Sequence, residues 1–340
     1  MHYFAYVTNQ NAVSAFSINA DTGALTPAGA PVAAGTYPNA IGVHASGKFA
    51  YVPNGGSNDI SAYSINAATG ALTSMGAPVA AGTDPVSVTV HPSGKFAYAA
   101  NYTSRDVWVY AINPATGVLT SRGAAVSGLN ANTDSVTVDP SGKFAYVTVV
   151  GIRLGSSDIP AYTIDSGAGT LTAIAAPNLW TDKFPNAMAV HPGGKFAYVA
   201  YLDASSYKIS AYSIDGATGA LAEVGTPVPA GSPAGPASIA VDPSGKFVYA
   251  ANLSSNDISA YIVDGATGAL ISMGASVAAG LAPRSIAVDP SGKFAYVANY
   301  NSSDISAYAI DPATGALTAV GAPVATGLHP VFITTARTIE

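Results

Sequence analysis

The unit Ser285-Ile-Ala-Val-Asp-Pro-Ser-Gly-Lys-Phe-Ala-Tyr-Val-Ala-Asn299, continuing as Asp304-Ile-Ser-Ala-Tyr-Ala-Ile-Asp-Pro-Ala-Thr-Gly-Ala-Leu-Thr318 and Val320-Gly-Ala-Pro-Val-Ala325, decides the fold. Its core motif, Phe-Ala/Val-Tyr, opens at Phe4, Phe49, Phe96, Phe144, Phe196, Phe247 and Phe294, at spacings of 45, 47, 48, 52, 51 and 47 residues. A fixed period in this range marks a repeat architecture. Each unit holds four strand-sized segments. Asp289-Pro290-Ser291-Gly292 separates the first two, a variable Asn/Ser/Asp stretch the next two, and Pro312-Ala-Thr-Gly315 the last two. Pro fixes φ and Gly accepts positive φ, so these are turns with a mechanism. Four antiparallel strands per unit, seven times over, predict an all-β, seven-bladed β-propeller.

The ends of the chain agree. It begins inside the second strand of a blade, Phe4-Ala-Tyr-Val-Thr8, and finishes with a spare first strand, Pro330-Val-Phe-Ile-Thr-Thr335. That strand is expected to join the N-terminal blade and close the ring, pairing edges that would otherwise invite aggregation. The expected division is one domain, 1–340, with blades at 37–83, 84–131, 132–183, 184–235, 236–282 and 283–328, and blade one split between 1–36 and 329–340.

Composition narrows the function. Charged residues are 9% of the chain and the net charge is −6, so no basic face for nucleic acid is expected. No apolar run approaches the ~18 residues of a membrane span. The absence of Cys removes disulfides, thiol nucleophiles and thiolate metal sites. The Gly/Ala/Ser/Thr-rich surface suggests a periplasmic or secreted bacterial protein, although Met1 leads directly into a strand and no signal peptide is visible. Neither a cofactor nor a metal is expected, because no phosphate loop, dinucleotide fingerprint, His-Glu-x-x-His or Gly-x-Ser-x-Gly occurs.

The motif Phe4-Ala-Tyr-Val-Thr-Asn9, with the recurring Gly-Lys-Phe-Ala-Tyr-Val and Ala-Thr-Gly-Ala-Leu-Thr, resembles the YVTN repeat of the seven-bladed, lactonase-like propellers, a group that includes bacterial 6-phosphogluconolactonases of the propeller type. The resemblance covers essentially the whole chain. It implies the propeller fold and suggests lactone hydrolysis, but the shared residues are blade scaffold and no catalytic motif of the family can be matched residue by residue.

Subtracting the repeat isolates what the scaffold does not explain. Six of eight Lys are turn residues, and thirteen of nineteen Tyr belong to the Phe-x-Tyr and Ser/Pro-Ala-Tyr motifs or their variants. His44, His91 and His191 stand where Asp139, Asp242 and Asp289 cap turns in other blades, and so have a structural reading. Most off-pattern residues fall in loops of one face, the top, made by the loops between second and third strands and between blades. There Tyr37, Tyr102, Arg105, Arg153, Trp180, Phe184, Asn186, Tyr201, Tyr207, Lys208 and Tyr300 are candidate ligand contacts for a small molecule, glycan or protein. If the protein is an enzyme, Asp134 and His329 are candidate water activators and Arg284 a candidate oxyanion partner. Asp84, at the channel mouth, is a further off-pattern acid. Because acid–base groups are few and aromatics many, a binding role is the first expectation and lactone hydrolysis the alternative.

Overall fold

The computed structural model describes residues 1–151, 157–175, 184–202, 207–231 and 235–338. All described elements of regular structure are strands, arranged as seven antiparallel sheets. From the channel outward, blade seven is built of Pro283–Val288, Phe294–Asn299, Asp304–Ile310 and Leu317–Ala319. The outermost strand resumes at Val324–Ala325, which pairs with the start of the third strand. The other blades repeat this order. Blade one is the exception in connectivity, since its innermost strand is the C-terminal Phe332–Thr338, antiparallel to His2–Asn9 with Tyr6 opposite Thr334. Val331 N–H extends the ladder to the Thr8 carbonyl at 2.8 Å. The expected ring closure is therefore present.

Side chains alternate across a strand, and this dictates where the core lies. In the second strand of a blade, Phe and Tyr of the motif project toward the following blade, while the small residues between them face the preceding one. Phe4 and Tyr6 pack with Ala50 and Val52 of blade two, whereas Ala5 and Val7 pack with Phe294 and Tyr296 of blade seven. Seven such clusters fill the seven seams between blades.

Each seam is also latched. The Ala-Thr-Gly glycine of one blade lies against the motif Phe of the blade before it: a Cβ on Gly70 would come within 2.2 Å of the Phe4 ring, and one on Gly23 within 2.3 Å of Phe294. All seven of these glycines have positive φ, so both backbone and space require Gly. Beside that contact the motif Tyr donates its hydroxyl to the same glycine's carbonyl: Tyr51 to Gly117 at 2.8 Å, Tyr98 to Gly169 at 2.9 Å, and Tyr296 to Gly23 at 2.9 Å across the closure seam. Burial pushes these phenols far above their ordinary range, so they remain donors. A second tyrosine reaches the other way. Tyr63, Tyr110, Tyr261 and Tyr308 donate to outer-strand carbonyls of the preceding blade at 2.7–3.1 Å.

The three bottom histidines are part of the same fabric. Nδ1 of His44 accepts the Ser46 N–H at 3.1 Å, and Nε2 therefore carries the proton that it donates to the Gly94 carbonyl of the next blade at 3.0 Å. His91 and His191 repeat this arrangement toward Gly142 and Gly245. In the sister blades Asp139, Asp242 and Asp289 cap the same turn through backbone N–H groups.

One latch is incomplete: the buried Tyr198 hydroxyl has no hydrogen-bond partner among the described residues. Tyr51→Phe, which strands the Gly117 carbonyl, should therefore lower stability by about 1–2 kcal/mol, while Tyr198→Phe should be neutral or stabilising. Denaturant midpoints of the two variants compare them directly. Truncation after Leu328 removes the closing strand and should lower the melting temperature sharply. A melt unchanged by that deletion would mean that the ring does not depend on its closure.

Candidate functional site

On the top face a cleft of about 360 Å³ opens between the loops of blades seven, one, two and the start of three, lined by Gln10, Tyr37, Pro38, Asn39, Gly55, Gly56, Asp84, Arg284, Tyr300, His329 and Val331. Two backbone devices of the repeat place its side chains.

The first is the residue before the proline at the start of the inner strand in blades one, two, three, six and seven. At Tyr37, Asp84, Gly235, Ala282 and His329 this residue has φ between +53° and +69°. Glycine in one blade shows what the backbone prefers there. Side chains at such φ are strained by roughly 1–3 kcal/mol each, and such positions concentrate at functional sites. Neighbouring loops hold the conformation. The Tyr37 carbonyl accepts from Gly55 N–H at 2.8 Å, the Asp84 carbonyl from Tyr102 N–H at 2.8 Å, and Asp84 N–H donates to Asn58 Oδ1 at 2.8 Å. The three largest or most polar occupants of this slot, Tyr37, Asp84 and His329, all line the cleft.

The second device is a β-bulge two residues further on. The inner strands carry an unpaired residue at Val86, Asp134, Asn186, Ala237 and Arg284. Asn39 and Val331 hold the same repeat position. A bulge re-aims its side chain and frees it from the ladder, which lets this position vary from Val to Arg without disturbing the blade.

Three side chains form the basic end of the cleft. The Arg284 guanidinium lies over the Tyr300 ring, 5.1 Å from its centroid. Tyr300 in turn stacks on His329, with centroids 4.7 Å apart and planes at 28°. The His329 backbone is tied to Ser303 Oγ at 3.3 Å, its side chain lines the cleft, and neither ring nitrogen bonds to a described residue. Asp134, half-buried in the channel wall, is pushed up to about 7 by desolvation, with the Arg284 charge pulling it back down.

The opposite end is acidic and polar. Glycines Gly55 and Gly56 occupy the loop where blades three and seven have Tyr102-Thr103 and Tyr300-Asn301. A Cβ on Gly55 would lie 2.6 Å from both Asn39 Nδ2 and Asp84 Oδ1, and one on Gly56 2.7 Å from the Tyr37 ring. The missing side chains are thus what opens this half of the cleft.

Of the candidates read from sequence, Tyr37, Asp84, Tyr300, Arg284 and His329 converge, and Asp134 approaches through its interaction with Arg284. The others do not join them. Tyr201 is corrected outright: it is fully buried in the strand Phe196–Leu202, at the position other blades give to the motif Asn, and its hydroxyl bonds Tyr212 at 2.7 Å. Arg105 bonds Asn132 Oδ1 at 3.3 Å, and Asn186 is committed to the Pro236 and Ala237 carbonyls. Tyr207 packs over Gly235, while Phe184 and Lys208 sit in strand pairs of blade five opposite Leu202 and Tyr201. Tyr102 contributes its backbone to the Asp84 loop. Arg153 and Trp180 lie outside the described residues. Sequence reasoning missed Gln10, Asn39 and the Gly55-Gly56 pair. The last carried a signal, a double glycine replacing an aromatic of the repeat. Among the described residues, no group of His, Asp and Glu is arranged to hold a metal ion, and no helix is long and apolar enough to cross a membrane.

A family model described as Lactonase, 7-bladed beta-propeller matches residues 2–133 and 135–334. Among curated proteins none matches. Solved structures with the same fold include a candidate 6-phosphogluconolactonase from Bacteroides fragilis (TM-score 0.82, 24% identity, covering 98% of each chain). A second, from Bacteroides uniformis, has a TM-score of 0.84 at 23% identity, over 98% of this chain and 99% of that one. The periplasmic gluconolactonase of Pseudomonas aeruginosa superposes with a TM-score of 0.84 at 18% identity over the full length of both. At these identities the likeness is one of fold.

The raised Asp134 carboxyl gives a stability test. Because the folded chain holds this proton more tightly than the unfolded one, folding becomes less favourable as pH rises from the ordinary value of 3.8 through about 7, and the penalty is complete above that. Asp134→Asn should raise the melting temperature by a few degrees at pH 8.5, with the gain fading at pH 4. A gain independent of pH would place its origin elsewhere.

Proposed function

We propose that this chain, which belongs to the Lactonase, 7-bladed beta-propeller family, is a lactone hydrolase whose reaction takes place in the cleft between blades seven, one and two. The observation that carries the reading is the Arg284–Tyr300–His329 arrangement, which sets a cation and an imidazole against the same tyrosine ring in one concave site.

Hydrolysis of a lactone needs a water to lose a proton as it attacks the carbonyl carbon, and a cation or donor for the charge that develops on the carbonyl oxygen. His329 takes the proton. The C=O electron pair moves onto oxygen, where the Arg284 guanidinium stabilises it. Collapse of the tetrahedral intermediate breaks the bond to the ring oxygen, which leaves with the proton returned by the imidazolium, and the product is the open hydroxy acid. Each role matches a general requirement of acyl transfer. Tyr300 contacts both groups through its ring. Asp134 touches neither water nor lactone in this scheme and acts on the orientation and charge balance of Arg284.

The reading as a non-enzymatic binding protein rested on a broad aromatic top face. Among the described aromatics only Tyr37 and Tyr300 line the cleft, while Tyr201 is core.

The test is hydrolysis of an aldonolactone measured above its spontaneous rate. His329→Gln and Arg284→Gln should each lower kcat/KM by about 10²-fold or more, with unchanged melting temperature. Turnover that survives both substitutions would refute the assignment.

A further inference from the structure

The two ends of the cleft differ in a way that bears on which lactone it takes. We infer that Asp84 and Asn39, exposed to the cleft by Gly55, form a hydroxyl-binding subsite that selects an uncharged, polyhydroxylated lactone over a phosphorylated one. This rests on the hydrolase reading and deepens it.

Four observations converge on the subsite. Asp84 Oδ1 and Asn39 Nδ2 both border the space that a side chain at position 55 would fill, each 2.6 Å from the Cβ that Gly55 lacks. Asp84 Oδ1 has no partner among the described residues, and Oδ2 receives only a 3.4 Å bond from Thr103 Oγ1. Asn39 spends one amide hydrogen on the Pro85 carbonyl at 3.2 Å, leaving the second hydrogen and Oδ1 for a ligand. Tyr37, 62% exposed, lies over Gly56 and closes one side with an aromatic face.

A carboxylate that only accepts, an amide that both donates and accepts, and an aromatic wall together match vicinal hydroxyls on a carbon ring. They mismatch a phosphate, whose dianion would face the Asp84 carboxylate with few cations to offset the repulsion. The described cations of the top face stand apart: Arg284 is at the far end of the cleft, Arg105 is bonded to Asn132, and Lys208 belongs to blade five. A lactone with its carbonyl at Arg284 and His329 therefore extends its hydroxylated end toward Asp84. The left-handed backbone at Tyr37 and Asp84 (φ 55° and 58°) is imposed by the hydrogen bonds of the neighbouring loops, which fix where both side chains start.

Kinetics with D-glucono-1,5-lactone and its 6-phosphate, together with calorimetric binding of D-gluconate and 6-phosphogluconate, test this. The wild-type chain should favour the neutral lactone by at least roughly tenfold in kcat/KM. Asp84→Asn, which keeps the shape and suits a left-handed backbone, should erase most of that preference. Gly55→Leu, which fills the subsite, should weaken gluconate binding by about tenfold or more while the fold is retained. A wild-type preference for the phosphorylated lactone, or one unmoved by Asp84→Asn, overturns the inference and leaves the hydrolase reading standing. Gluconate binding that falls in both variants without turnover of either lactone supports the subsite and removes the hydrolase reading. Absence of both binding and turnover overturns the subsite.

Discussion

The contact between an aromatic pair on one blade and a glycine on the next is what the rest of this molecule depends on. A four-stranded blade by itself has two apolar faces and cannot bury either. The motif Phe gains its burial by lying against the Gly of its neighbour's turn, which only a residue without Cβ permits, and in every blade but the one with Tyr198 the motif Tyr fixes the register with one hydrogen bond to that glycine's carbonyl. Because each seam relies on two blades, no blade is stable alone, and seven seams need a ring. The bond from Tyr296 to Gly23 and the C-terminal strand beside His2–Asn9 make the last seam like the others.

With structure concentrated in the seams, the top loops are released from it. The blade-entry slot and the bulge after it are held by backbone hydrogen bonds, so their side chains can be Gly, Ala, Tyr, Asp, His or Arg without altering a blade. Where the side chains are small or apolar the slots carry no chemistry. From blade seven through one and two to the start of three they carry Arg284, His329, Tyr37, Asn39 and Asp84, and the double glycine at 55–56 opens the space between them. The strain at the entry slot is borne by a scaffold stabilised elsewhere, in the manner expected of a binding site.

Much of this was legible from the chain. The repeat motif, its turn residues and its period specify strand number, blade number and closure, because hydrophobic alternation and turn chemistry act locally and recur seven times. His329 and Arg284 stood out as departures from the repeat, and both lie in the cleft. Tyr201 stood out equally and misled. It departs from the motif Asn at a position that points into the seam, so the substitution alters packing, as its bond to Tyr212 shows. A departure from a repeat identifies a change and leaves its direction to the strand's alternation.

The sequence by itself determined the all-β class, the seven blades, the structural roles of the bottom histidines and the closing strand, since each follows from local pattern repeated at fixed spacing. Only the tertiary structure decided which off-pattern residues act together. Gln10, Asn39, Asp84 and His329 are separated by up to most of the chain's length and meet because ring closure brings blade seven beside blades one and two. The orientation of Arg284 between Tyr300 and Asp134, and the room left by Gly55, arise from contacts across that closed ring, which no local stretch of sequence encodes.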